Sequence, residues 1–188
     1  AGGETIWLSP NKMSPYRFYQ AWISVDDSEV RKLLLQLTFL PVDDVEALVA
    51  EHQLNPQLRL GQRTLARELT GIVHGETASV SAAEASAVLF DPDVDVAAVS
   101  QEALEFISNE VPSTGLQELG NGVIDLLVES GLCQSRKDAK RAISEGGIYL
   151  NGQRVTEADF VPSDSDLLHN KYLLLRRGKK LWHLIFVS

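Results

Sequence analysis

Apolar residues recur three and four positions apart through the first 108 residues, and in shorter alternating runs towards the end, so the chain divides into two parts. The helical pattern begins at Ser14-Pro15, a cap followed by proline at the first helical position. Behind it Tyr16, Tyr19 and Ile23 share one spacing, and Phe18 and Trp22 another. These aromatics are expected in a core rather than in a ligand stack. Asp27 or Ser28 opens a second helix with Val30, Leu33, Leu34 and Leu37 as its stripe, and capping is the role expected of Asp26 and Asp27. After Pro41 a third helix runs through Val45, Leu48 and Val49. A fourth is expected from about Pro56 to His74, with Leu65, Leu69, Ile72 and Val73 in phase and Gly75 as its stop. Further helices are expected at 79–90 and 100–108, parted by DPDVD at 91–95.

Residues 109–122, NEVPSTGLQELGNG, mix Pro, Gly and polar residues without a sustained period and are expected to be a linker. Beyond them Val123, Ile124, Leu127 and Val128 make a short helix closed by Gly131. Next comes SRKDAKRAI, with Ser135 placed to cap it, Asp138 in its first turn and Gly146 to end it. At about 100° per residue, Arg136, Lys137, Lys140 and Arg141 fall within roughly 140° of arc, apart from Ala139, Ala142 and Ile143. Ile148-Tyr149-Leu150, Asn151-Gly152 and Gln153-Arg154-Val155 then spell a hairpin with a type I′ turn. That turn sets Tyr149 across from Arg154 and sends Ile148 and Val155 to the other face, where they can cover the helix. Residues 172–187 form two more strands joined through Gly178.

Charge sharpens this division. Residues 1–110 hold 7 Lys+Arg against 17 Asp+Glu, whereas from Cys133 onward 10 basic residues face 6 acidic ones, within a chain of net charge −9. Cations on a helix are often only its solvated side. Here they gather beside a hairpin carrying an aromatic ring and an arginine, and local sign rather than net charge decides phosphate affinity. RNA binding is the function class this implies.

At 188 residues, 44% hydrophobic and 23% charged, the chain has the composition of a soluble globular protein. No apolar run is long enough to span a bilayer, and AGGETIWLSP lacks the segments of a secretory signal, so a cytoplasmic location and no membrane partner are expected. Cys133, the only cysteine, excludes an internal disulfide and is expected as a small buried residue. His52, His74, His169 and His183 lack metal spacing, so no metal site is expected.

The order of motifs resembles the C-terminal half of bacterial-type tyrosyl-tRNA synthetase almost end to end. The stretches that carry this are GGETIWLSP at 2–10, SPYRFYQAWI at 14–23, the DD and LTFL of 26–40, and LARELTGIVHGE at 65–76. VIDLLVESGL, SRKDAKRAI, GGIYLNGQRV and LLLRRGKK follow in the second part. The resemblance implies two domains. An all-α helical anticodon-binding domain would occupy 1–108, with an N-terminal extension from the catalytic domain, then the linker 109–122, then 123–188 as a small α+β RNA-binding domain like that of ribosomal small-subunit protein four. In this family a catalytic Rossmann domain with the ATP motifs precedes the matched region. Lys12-Met13-Ser14 looks like the start of KMSKS, but Pro15 stands where its second lysine would be, so no catalytic residue is expected here. The chain is therefore expected to be the C-terminal part of a longer tyrosine-tRNA ligase, inactive alone. The parent would use ATP with magnesium and dimerise through its catalytic domain, while this piece would hold no cofactor and be a monomer.

The partner implied is a tyrosine tRNA with a long variable arm. By resemblance its basic contacts fall on Lys137, Lys140, Arg176, Arg177, Lys179 and Lys180. Arg136, Arg141, Tyr149 and Arg154 form a second group suggested by the residues themselves. Helix and last hairpin are expected to turn these cations outward together as one seat for a polyanion. The alternatives are a stand-alone RNA-binding protein using the same small domain, and a helical protein-interaction scaffold with an incidental basic tail.

Overall fold

A computed structural model describes residues 5–91, 94–120 and 122–187. The chain forms two compact units, residues 1–86 and 87–188. The first is helical and the second is built on a small sheet with helices.

In the first unit α1 (Pro15–Ile23), α2 (Asp27–Leu37), α3 (Val42–Leu54) and α4 (Leu60–His74) pack around Phe18, Val30, Leu34, Val45, Leu65 and Leu69. α5 spans Glu76–Phe90. Ser14 caps α1 by accepting the Arg17 N–H, and Pro15 takes the first position, where no N–H is required. Tyr16, Phe18 and Tyr19 are buried, and Phe18 meets Trp22 and His74 edge to face at 6.0 and 4.9 Å, so these aromatics are core. Leu37 and Ile72, expected in apolar stripes, are instead exposed. The fourth helix starts at Leu60 rather than Pro56. Pro56–Leu58 is a 3₁₀ turn, and Arg59 adopts a left-handed φ of 52° while its guanidinium donates to the carbonyls of Ile23 and Val25. A long-range bond of this kind leaves no trace in a local period.

The capping expected of Asp26 and Asp27 is corrected. Asp26 occupies the cap position of α2 without a side-chain bond, and Asp27, already inside the helix, accepts from the Gln62 amide beside His52. Both carboxylates still favour the positive end of the helix dipole.

The second unit contains α6 (Gln101–Glu110), β1 (Ser113–Leu116), α7 (Val123–Glu129), α8 (Arg136–Ser144), β2 (Ile148–Leu150), β3 (Gln153–Arg154), β4 (Tyr172–Arg177) and β5 (Leu181–Val187). The sheet order is β1-β5-β4-β2-β3, with β1 parallel to β5 and every other pair antiparallel. The expected linker 109–122 is thus corrected: it completes α6 and supplies the edge strand β1. Its partner lies about seventy residues downstream, so the four residues STGL carry no local signal. The compact division falls after Ser86, not at 109, and places α6 in the sheet unit.

Alternation orders the sheet. Leu173, Leu175 and Ile185 point to the side of α7 and α8, where they form a core with Val123, Leu126, Leu127, Ala139, Ile143, Ile148 and Val155. Tyr172, Leu174 and Leu184 face the opposite way and are also buried. The expected hairpin is present: Asn151 and Gly152 have φ of 48° and 82°, the signature of a type I′ turn, and Tyr149 pairs with Arg154. Asn151 also ties the turn down, donating to the Asp166 carbonyl at 2.6 Å and accepting from the Leu174 N–H at 2.9 Å.

Candidate nucleic-acid interface

α8 is fixed at both ends. Ser135 accepts from the Asp138 N–H, and the Gly146 and Gly147 N–H groups return to the carbonyls of Ile143 and Ala142, the pattern of a Schellman cap with Gly146 at φ 69°. Ala139, Ala142 and Ile143 are buried. Arg136, Lys137, Lys140 and Arg141 are exposed on the other side, as their spacing requires.

The cations differ in what they already hold. Arg136 pairs with Asp125, and Arg141 with Asp138 and Glu145. Arg177 makes a two-pronged contact with Asp138, Nη1 to Oδ2 at 2.7 Å and Nη2 to Oδ1 at 3.0 Å, and Nη1 also donates to the Leu132 carbonyl at 2.7 Å. These partners hold the Asp138 carboxyl down to about 2, chiefly through Arg177 and then through the Gln134 N–H, and they raise the Arg177 guanidinium. Lys137, Lys140, Lys179 and Lys180 are exposed and, among the described residues, carry no ion pair or hydrogen bond. Lys137, Arg141 and Arg177 line one pocket of about 490 Å³ with Gln134, Ser135 and Asp138.

One seat for the cations of the helix and last hairpin is not what the sheet builds. Arg176 and Arg177 are consecutive in β4, and strand alternation sends them to opposite faces. Arg177 lies against α8. On the other face Arg154, Tyr149, Arg176 and Trp182 stand directly opposite one another across β3, β2, β4 and β5. The Arg176 guanidinium sits 4.0 Å from the Tyr149 ring centre and 5.1 Å from that of Trp182, and Arg154 lies 5.7 Å from Tyr149 and donates to its phenol oxygen at 3.2 Å. That hydrogen bond, helped by the two positive charges, lowers the Tyr149 phenol below its usual value. Arg176 is 8% exposed, and among the described residues it has no carboxylate partner and its Nε no hydrogen bond. A guanidinium so placed is held by the ring quadrupoles of Tyr149 and Trp182, with no ion pair among the described residues.

Sequence patterns missed two members of this arrangement. Trp182 was legible in principle, since counting outward from a three-residue turn at 178–180 sets it across from Arg176. Asp138 reads only as a helix-start charge, because its bond to a residue 39 positions away has no local trace.

Elsewhere, Lys12 lies over the Trp7 ring at 3.9 Å, and Ser14 and Pro15 begin α1, so this Lys-Met-Ser run is a helix start rather than a phosphate loop. Cys133 is buried, and burial raises its thiol pKa. His169 Nε2 donates to the Val99 carbonyl at 2.8 Å, and His183 bonds Thr114 at 2.9 Å. Among the described residues no cluster of three or more His, Cys, Asp or Glu could hold a metal, and no helix is long and apolar enough to cross a membrane.

Comparison with known proteins covers both units. Residues 1–91 match the family model of class I tRNA synthetases (W and Y), and residues 103–185 match that of the tyrosine–tRNA ligase SYY-like C-terminal domain. A tyrosine–tRNA ligase from Bifidobacterium longum is 39% identical over 186 residues, and one from Corynebacterium efficiens is 41% identical over 183. Each alignment covers 95% of this chain, which spans 42% of the length of either relative. A solution structure of a tyrosyl-tRNA synthetase C-terminal domain is 30% identical, covering 51% of this chain and 97% of that one with a TM-score of 0.42. With one model matching each half in order and whole-chain relatives near 40% identity, the chain belongs to the tyrosine–tRNA ligase family.

Proposed function

We propose that this chain is the part of a tyrosine–tRNA ligase that grips tyrosine tRNA, and that the whole protein joins tyrosine to that tRNA at the expense of ATP. The observation that carries the RNA reading is a group of cations in the second unit that, among the described residues, have no ion pair: Lys137 and Lys140 on α8, Lys179 and Lys180 in the β4–β5 turn, and Arg176. Lysines act as mobile point charges on phosphate oxygens, and a guanidinium offers a planar fork. Such contacts set register and strength but carry little sequence information, which the overall RNA shape or its unpaired bases must supply.

In this reading the helical unit is the anticodon-binding domain and the sheet unit an RNA-binding domain like that of ribosomal small-subunit protein four. Family membership through residues 1–91 favours it over a stand-alone RNA-binding protein. ATP with magnesium belongs to the whole ligase, as does dimerisation through its catalytic domain in the cytoplasm. The Lys12–Pro15 run does not fit an ATP phosphate loop, because its lysine is seated on Trp7 and its serine caps a helix. The test is a competition gel shift with tyrosine tRNA and other tRNAs. Preferential binding of tyrosine tRNA is expected; equal binding of all tRNAs points to the stand-alone protein, and no binding removes the RNA reading.

A further inference from the structure

Asp138 is an acidic residue in the middle of a cationic surface. On a polyanion-binding face a carboxylate ordinarily weakens binding by repulsion. Here it makes three contacts: with the start of its own helix through the Gln134 N–H at 3.2 Å, with Arg141 one turn further on, and with Arg177 at the end of β4. Arg177 in turn holds the Leu132 carbonyl at 2.7 Å, where the chain turns from α7 into α8. Side-chain exposures of 15% for Asp138 and 28% for Arg177 shield the pair from competing water. Directly beyond Arg177 come Gly178, Lys179 and Lys180, and directly before Asp138 comes Lys137. The pair is therefore the joint between the two segments that carry the free lysines.

We propose that Asp138 and Arg177 are positioning residues, a clamp that holds the start of α8 against the end of β4 so that the helix lysines and the turn lysines meet one RNA backbone together. Arg177 then acts through Asp138 and does not itself take a phosphate. This rests on the RNA-binding reading above, and it makes a prediction opposite in sign to simple charge counting. Asp138→Asn removes a negative charge from the surface and yet weakens binding.

The experiment measures affinity of the full chain for a tyrosine tRNA transcript at several salt concentrations. Asp138→Asn and Arg177→Gln are each expected to weaken binding by roughly five- to twentyfold and to flatten the salt slope by more than the 0.7–0.9 that one lost contact accounts for. The double variant is expected to bind no worse than either single variant, because both remove one joint. In the free chain, amide exchange at the start of α8 is expected to quicken by at least about tenfold in Asp138→Asn. Wild-type or tighter binding by Asp138→Asn, or additive losses in the double variant, would overturn the clamp. If the wild-type chain binds tRNA no better than a variant with all four lysines replaced by alanine, it is the RNA reading that fails; unchanged exchange at α8 would still refute the clamp.

Discussion

Arg176 and Arg177 are neighbours in the chain and meet opposite surroundings. Arg177 is neutralised by Asp138, while Arg176 is wedged between two rings and, among the described residues, has no counterion. Replacing Arg176 with methionine keeps a straight apolar stem between Tyr149 and Trp182 and removes the charge. The expected result is a folded chain with weaker tRNA binding and a salt slope flattened by about 0.7–0.9. An unchanged slope would show that the Arg176 charge is not spent on phosphate. At the same scale His183 is buried beside Thr114 and its pKa is lowered by burial. A lowered folded pKa means that the unfolded chain binds the proton more readily, so His183 adds stability above pH 6.5 that is lost as pH falls below it. Asp138 follows the same sign further down, its contribution disappearing between pH 3.8 and about 2. Thermal unfolding from pH 7 to 5 checks the first step: His183→Asn should flatten the profile there, and an unaltered profile would place the titration elsewhere.

Among the elements, β1 shows most plainly what a sequence withholds. It joins β5 in parallel at Ser113 to Leu116, and Gly115 is flat against Phe186, where an added Cβ would lie 2.7 Å from the ring. Gly115→Ala is therefore expected to push Phe186 aside and cost about 1–3 kcal/mol, read as a lower denaturation midpoint. A midpoint equal to wild type would mean that the ring moves freely. The helices and the β2–β3 hairpin were legible because their signals are local: Ser14-Pro15, Ser135, Gly146 and Asn151-Gly152 each fix a backbone state within a few residues. β1, the Arg59 turn and the Asp138–Arg177 bond depend on partners 34 to 71 positions away, and short-range periodicity cannot report them.

For the whole molecule, charge misleads unless it is taken locally. The helical unit, residues 1–86, holds 7 basic and 11 acidic residues, and the sheet unit, residues 87–188, holds 10 and 15, so both are net acidic. The excess of cations seen from Cys133 onward is a property of one region of the second unit. The expected set of contacts was legible to that extent, but not how it is divided: alternation along β4 puts one arginine of RRGKK on each face of the sheet, and carboxylates hold Arg136, Arg141 and Arg177. Among the described residues, what remains of that set without a carboxylate is the four lysines, Arg176, and Arg154, whose guanidinium already donates to the Tyr149 phenol; the four lysines and Arg176 set the strength of the grip. The most direct test is the salt dependence of tyrosine tRNA binding. Five neutralised phosphates give a logarithmic slope of about −3.5 to −4.5, falling to about −0.7 to −0.9 when Lys137, Lys140, Lys179 and Lys180 are all alanine. A wild-type slope near zero, or a slope that survives the loss of those four lysines, would contradict the account.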